Sequence, residues 1–264
     1  MPHTVIHASH NKSQKPDMKK FYLHTHSYYE LYCFVAGNVD FLIEGTAYPL
    51  EAGDLMIIGR SEAHCTRFQA PTPYERIVIH FSPESILGTL EETAHIRGLL
   101  DGRPLGKGNR FPGAIQKHPQ WAQYLEKLVS ASGWARTVYL TALLHEMATV
   151  YAEAPVAVPD KRNGISQILG YINENLTQPL SLELLSRKFF ISKAQLNRSF
   201  KKSTGSTVWE YIQAKRLLLA KELLRTGNAP TQVCMLCGFG NYSGFYRAYK
   251  KRFGISPNEE NARR

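Results

Sequence analysis

Two stretches of the chain combine basic side chains with amides, hydroxyls and aromatics at matching positions. LNRSFKKSTG, Leu196 to Gly205, and FYRAYKKRFG, Phe245 to Gly254, are related by a constant offset of 49 residues. The offset pairs Leu196 with Phe245, Arg198 with Arg247, Phe200 with Tyr249, Lys201 and Lys202 with Lys250 and Lys251, and Gly205 with Gly254; it also pairs Ser192 with Asn241. On a helix, residues four apart share a face, so Leu196 with Phe200 and Phe245 with Tyr249 read as core. The opposite face carries Gln195, Asn197 and Arg198 in the first copy, and Tyr242, Ser243, Tyr246 and Arg247 in the second. Arginine can grip guanine with two hydrogen bonds, and asparagine or glutamine can do the same to adenine. The chemistry these faces offer is therefore the reading of base edges. Lys201, Lys202, Lys250, Lys251 and Arg252 stand at the helix ends. There they either contact phosphates or solvate the surface and suit the negative end of the helix dipole. Lys193, at the start of the first helix, joins this phosphate set.

The charge distribution points the same way. The 264 residues carry a net charge of +10, but from Lys161 onward there are 18 Lys and Arg against 6 acidic residues, leaving 14 basic and 16 acidic residues before it. All the excess positive charge lies in the last two fifths of the chain, and such a field attracts a polyanion. Charge alone does not separate DNA from RNA or from an anionic membrane.

Cysteine usage is sparse: Cys33, Cys65, Cys234 and Cys237. Four are too few for a disulfide scaffold at this length and fit a reducing compartment. Cys234 and Cys237 form a CxxC, a pattern used in redox and zinc sites, but no second pair lies within metal-ligand reach in sequence. With Val233 on a short helix, they read as core. No apolar run is long enough to span a bilayer and the amino terminus has no apolar h-region, so the expected compartment is the cytoplasm.

Three parts position these residues. Up to about Phe81 the chain is β-rich: ELYCFVAGNVDFLIEG, AYPLEAGDLMIIG and TPYERIVIHF are short aromatic and branched runs broken by glycine turns. A small antiparallel barrel or jelly roll is expected, with strands before or after it completing a thin core. From about Ser82 to Tyr151 the period becomes helical. SILGTLEETAHIRGLL reads as a helix, and Leu125, Leu128, Tyr139, Leu140, Leu143, Leu144 and Met147 recur at helical spacing further on. That apolar stripe either packs back on the barrel or meets its twin in a dimer, and the dimer is the favoured reading. Residues 154–164, APVAVPDKRNG, read as a linker. The remainder reads as short helices: Ile165–Leu176, one capped by Ser181, one capped by Ser192 and stopping at Gly205, a long helix Val208–Arg225, one opened by Pro230, and a last one from about Tyr242 to Arg252. Each duplicated helix follows a short helix and a tight turn, which makes two candidate helix-turn-helix units separated by a long spacer helix.

From about Gly164 to Pro257 the chain resembles the DNA-binding domain of the AraC/XylS family of bacterial transcription regulators. SLELLSRKFFISKAQLNRSFKKSTG matches the first motif, and CGFGNYSGFYRAYKKRFGISP matches the family signature of a GF turn, aromatic-rich recognition helix, lysine pair, Gly and Ser-Pro. The resemblance implies seven helices and two recognition helices entering successive major-groove segments about one turn, roughly 34 Å, apart. Base contacts carried over from the family fall on Ala194, Asn197 and Arg198, and on Tyr242, Ser243, Tyr246 and Arg247. Ala194 is small where larger contact residues are often seen, and Glu260 stands where the family has an aromatic.

The amino-terminal part resembles the cupin-like sensor of the same family. HTHSYYELYCFVAG fits the cupin His-x-His, Glu and Gly pattern with His24, His26, Glu30 and Gly37; in a weaker second motif Gly53 and His64 are in place, while Gly59, Ser61 and Phe68 replace the usual residues. The resemblance leaves three uses for His24, His26, Glu30 and His64: a small-molecule effector pocket, a divalent-metal site, or a structural role. No other cofactor is implied.

Together these readings give a two-domain α+β chain. Residues 1–153 are expected to form a cupin-like β-barrel or jelly roll with appended helices, 154–164 a linker, and 165–264 an all-α domain with two helix-turn-helix motifs. The function expected is a sequence-specific, double-stranded-DNA-binding regulator, homodimeric and answering to a small effector such as a carbohydrate or related metabolite. RNA polymerase is a further partner under this resemblance, because activation is the commoner family role; no membrane partner and no enzyme activity are expected. Two alternatives are a metal-binding cupin enzyme fused to a DNA-binding domain, and a dimeric DNA-binding protein without an effector.

Overall fold

The computed structural model describes residues 6–17, 21, 23–60, 62–153, 164–204 and 206–262. The chain divides into two compact units, one within residues 1–161 and one built on residues 162–264. The expected linker, up to residue 163, and the expected helix stop at Gly205 lie outside the described residues.

The first unit holds eight described strands: β1 (His7–Ser13), β2 (Tyr29–Ala36), β3 (Val39–Ile43), β4 (Thr46–Pro49), β5 (Leu55–Ile58), β6 (His64–Phe68), β7 (Tyr74–Phe81) and β8 (Arg110–Phe111). They form two antiparallel sheets, ordered β1-β7-β2-β5-β8 and β4-β3-β6. β1 and β8 are the completing strands that a thin core required. β2 is buried almost end to end because both of its faces are covered. Side-chain alternation splits its residues between two cores. Tyr32 and Phe34, with Phe41, Ile43, Met56, Ile58 and Val78, fill the space between the sheets. Tyr29, Leu31 and Cys33, with Leu55, Ile57, Ile79 and Phe81, face the helices.

Those helices are α1 (Ala94–Asp101), the single turn α2 (Ala114–Lys117), α3 (Pro119–Ser130) and α4 (Gly133–Glu153). The expected helix through SILGTLEETAHIRGLL forms only over its second half. Gly88 takes φ +113°, and Thr89 and Glu92 each bind the other's backbone N–H, a local turn that competes with helix. The apolar stripe expected to favour a dimer is used inside the chain. Leu125, Leu128, Leu140, Leu143, Leu144 and Met147 are buried against the outer face of the larger sheet, with Tyr139 partly buried beside them. Packing back on the strands is the arrangement that the fold adopts for this stripe, so it is not the surface through which a dimer forms.

The second unit contains seven described helices: α5 (Gly164–Glu174), α6 (Leu182–Lys188), α7 (Lys193–Thr204), α8 (Val208–Arg225), α9 (Pro230–Leu236), α10 (Tyr242–Phe253) and α11 (Pro257–Asn261). Local signals set their ends. Ser181 Oγ accepts from Leu184 N, and Ser192 Oγ from Gln195 N, so both serines cap as expected. Thr207 with Glu210 and Ser256 with Glu259 form capping boxes on α8 and α11. Gly254 closes α10 at φ +77°, where only glycine is unstrained. Leu217, Ala220 and Leu224 of α8 pack with Val233, Cys234, Cys237, Phe245 and Tyr249. The CxxC cysteines are core residues, and burial pushes the Cys237 thiol up to about 12, which keeps it protonated and inert. Glu260, where the family has an aromatic, is buried and accepts a hydrogen bond from Arg225 Nε at 2.7 Å, so α11 docks through an ion pair in place of a ring.

Candidate nucleic-acid interface and effector site

The duplicated helices are α7 and α10, and their inner faces match. Leu196, Phe200, Phe245 and Tyr249 are all fully buried, at 0% exposure. The first-turn amides are capped equivalently, by Ser192 Oγ on Gln195 N at 3.2 Å and Asn241 Oδ1 on Gly244 N at 2.7 Å. Each helix sits behind a shorter one, α6 or α9, across a tight turn.

The outer faces carry the candidate readers. On α7, Lys193, Ala194, Arg198, Lys201 and Lys202 are exposed and Asn197 is half-buried. On α10, Ser243, Arg247, Lys250, Lys251 and Arg252 are exposed, and Tyr242 and Tyr246 are half-buried with ring centroids 6.3 Å apart. Two candidates have local partners. Lys193 forms an ion pair with Glu183 of α6, and Arg247 Nε lies 3.4 Å from the Ser243 carbonyl. Both pairs are on the surface, where such contacts exchange readily for a stronger acceptor such as phosphate or a base edge. Lys and Arg at the carboxyl ends of both helices give each outer face a basic rim.

In the first unit, a polar cluster closes one end of the space between the sheets. Glu30, two residues before Tyr32 and on the same side of β2, points to that interior and is 5% exposed. One oxygen, Oε2, receives three rings: His26 Nε2 at 3.0 Å, His80 Nε2 at 3.0 Å and His64 Nε2 at 3.5 Å. The other nitrogens of two of these rings are also set: His26 Nδ1 lies 2.9 Å from the Tyr28 carbonyl and His64 Nδ1 2.8 Å from the Glu62 carbonyl. Tyr28 stacks on His26 at 3.9 Å. Deeper in the same space, Tyr32, Tyr74 and Thr66 form a chain of hydroxyls, at 2.6 Å and 3.1 Å.

This geometry constrains the protons. A neutral imidazole has one N–H, yet His26 faces an acceptor from both nitrogens, while His64 bonds the Glu62 carbonyl through Nδ1 and holds Nε2 at an ion-pair distance of 3.5 Å from Glu30. His26 is therefore an imidazolium, or presents a bare Nε2 to a cation held beside Glu30. Burial opposes charge on both rings. At His26 burial prevails and lowers the pKa; at His64 the bond and charge of Glu30, with the Glu62 carbonyl, outweigh it and raise the pKa. Burial also opposes charge on Glu30, but the three histidines hold its carboxyl well below the usual range.

The donor set fits a divalent transition ion. His24, His26, Glu30 and His64 each offer one ligand atom, all within 4.8 Å of one another. Imidazole nitrogens with one carboxylate suit zinc and its neighbours, and an Nδ1–H bound to a carbonyl is the usual way a ligating ring is oriented. His80 was not visible as a member from sequence spacing. It joins through the β2–β7 register, which sets it opposite Glu30.

Both units match known protein families. A family model described as an AraC-like ligand binding domain matches residues 12–148, and one described as a helix-turn-helix domain matches residues 185–263. The probable transcriptional regulator LumQ of Photobacterium leiognathi is 26% identical over 242 residues, covering 91% of this chain and 92% of its own. The regulatory protein SoxS of Escherichia coli is 32% identical over 96 residues, covering 36% of this chain and 90% of its own. The solved structure of ToxT from Vibrio cholerae aligns over 97% of this chain and 98% of that one, at 14% identity and a TM-score of 0.43. No helix among the described residues is long and apolar enough to cross a membrane. LumQ and SoxS both carry names of regulatory proteins. With a β-rich ligand-binding unit followed by a helical unit carrying helix-turn-helix motifs, this chain belongs to the AraC/XylS family of transcriptional regulators.

Proposed function

We propose that the chain is a dimeric, sequence-specific transcription regulator whose two recognition helices read adjacent major-groove segments of one operator. The observation that carries this reading is the duplication itself: α7 and α10 share core, cap and basic end, and each turns a polar face to solvent. Ala194, Asn197 and Arg198, with Tyr242, Ser243, Tyr246 and Arg247, are the base-contacting set; Lys193, Lys201, Lys202, Lys250, Lys251 and Arg252 are the phosphate set. Residues 1–153 serve as sensor and dimerisation domain, 154–164 as linker and 165–264 as reader, working in the cytoplasm with RNA polymerase as the downstream partner. Genome-wide selection of fragments bound by the purified protein tests this. A shared motif with two separate recognition boxes is the expected result, and retention of DNA without sequence preference would contradict it.

The effector site is the polar end of the sensor, at His24, His26, Glu30 and His64. Imidazole and carboxylate groups beside buried hydroxyls match the donors and acceptors of a carbohydrate or related metabolite. Its binding shifts the population between arrangements that differ in operator affinity. A second reading, a divalent cation in the same place, is favoured by His26, which faces acceptors from both nitrogens, and by the four donor atoms that lie within 4.8 Å of one another. Melting curves separate the two, since a ligand that binds only the folded state raises the midpoint by mass action. A sugar or metabolite that raises Tm in the presence of chelator supports the first. A rise with zinc that chelator reverses supports the second, and no shift with either class leaves a DNA-binding dimer without an effector.

A further inference from the structure

The midpoint of the spacer helix α8 holds a buried arginine whose hydrogen bonds join the two halves of the reader. Arg216 is 4% exposed. Its Nε donates to the Leu176 carbonyl at 2.8 Å and its Nη2 to the Gln178 carbonyl at 2.7 Å, both in the loop between α5 and α6. Its Nη1 donates to the Gly238 carbonyl at 2.6 Å, in the turn between α9 and α10. One planar group thus grips the entry to the first helix-turn-helix and the turn inside the second.

The surroundings show how close the fit is. Gly238 takes φ +77°, and a Cβ there would lie 2.7 Å from the Thr177 carbonyl oxygen and 3.0 Å from Arg216 Cζ. The second turn is therefore pressed against both the 176–178 loop and the guanidinium. Among the described residues every hydrogen bond of Arg216 goes to a carbonyl, and none goes to a carboxylate. Three carbonyl oxygens converging on one buried point repel one another unless a multi-donor cation lies between them. Burying that cation is costly without such partners, so the two loops and the arginine stabilise each other or none does. The rigid fork of guanidinium donors suits this arrangement, and a single ammonium does not.

The geometry points to Arg216 as the residue that sets the spacing between the two recognition helices, and so the phase between the two DNA boxes that the protein accepts. None of its hydrogen bonds goes to a candidate base or phosphate contact; it acts by holding the α5–α6 loop and the α9–α10 turn to a common point on α8. The inference rests on the reading of α7 and α10 as paired DNA readers.

The test uses the full chain, its Arg216→Lys variant, and Arg216→Gln as a second variant should the lysine form fail to fold. Spin labels on Lys202→Cys and Lys251→Cys, equivalent positions on the two helices, report their separation without DNA. Operator fragments with one to five base pairs inserted between the boxes report the phase requirement. The parent protein should give one narrow distance and lose affinity steeply with insertion. The variant should give a broadened distance, keep its affinity for a single box, and show a preference for native spacing about tenfold weaker. A folded variant with an unchanged narrow distance and unchanged spacing preference would overturn the role of Arg216. If the parent protein binds no operator, the DNA-reading function fails instead, and the distance measurement still decides whether Arg216 sets the helix spacing.

Discussion

The turn of the first helix-turn-helix and that of the second close on equivalent hydrogen bonds but in different surroundings. In the first, Ile191 N reaches back to the Ser186 carbonyl; in the second, Phe239 N reaches back to that of Cys234. Both are Schellman-type closures that need a left-handed residue just past the helix end. The second has Gly238 there at φ +77°, and the first has Phe190 at φ +54°. Phe190 is 96% exposed, so nothing crowds it, whereas Gly238 is packed against a neighbouring loop and an arginine. The difference teaches that the two units are not interchangeable. Their recognition helices repeat, but only the second turn is built into the junction with the rest of the domain.

That comparison can be strained at several strengths. Phe200→Ala and Phe245→Ala should each cost ~3–5 kcal/mol, because both rings are fully buried at equivalent core positions. Chemical denaturation with a large gap between the two would show that the duplicated cores are unequal. Next, Gly238→Ala should cost about 2 kcal/mol or more, from the left-handed backbone and the crowded Cβ together. Phe190→Ala, at the matching place, should be close to neutral, and equal costs at the two sites would remove the distinction between the turns. Ser192→Ala and Asn241→Ala should each cost about 1 kcal/mol, read by thermal unfolding, since each removes one cap bond from a first-turn amide. The smallest effect has the opposite sign. Phe190→Gly should stabilise by about 0.5 kcal/mol, as relief of the left-handed strain is partly offset by the entropy of glycine.

Much of the reader was legible in the sequence because its signals are local. Ser181, Ser192, Pro230 and Gly254 mark helix ends by their own chemistry, and Leu196, Phe200, Phe245 and Tyr249 share a face by spacing alone. What stayed hidden depends on tertiary partners. Arg216 bonds only to backbone carbonyls, which leave no mark on residue type, and Glu260 makes sense only once Arg225 is beside it. The offset of 49 holds between α7 and α10 but is 48 between α6 and α9, since the second turn has one more residue, Gly240.

The sensor was less legible. β1, HASHNKS, is a polar edge strand with half-exposed side chains and lacks the apolar alternation that announces a strand. The stripe on α3 and α4 was visible, but periodicity says that a face is buried and not against what. Glu30, His26 and His64 were visible as a motif, while His80 needed the pairing of β2 with β7.

If α7 and α10 are paired readers, they contact different parts of one operator. The most direct test of this is selection of preferred sequences by the parent protein and by Arg198→Ala and Arg247→Ala, at fixed salt. Each substitution should cost about 1–3 kcal/mol on the preferred site and relax base preference there. The two sets of relaxed positions should lie about one helical turn apart. Relaxation at the same positions, or uniform weakening on all DNA, would contradict the paired reading.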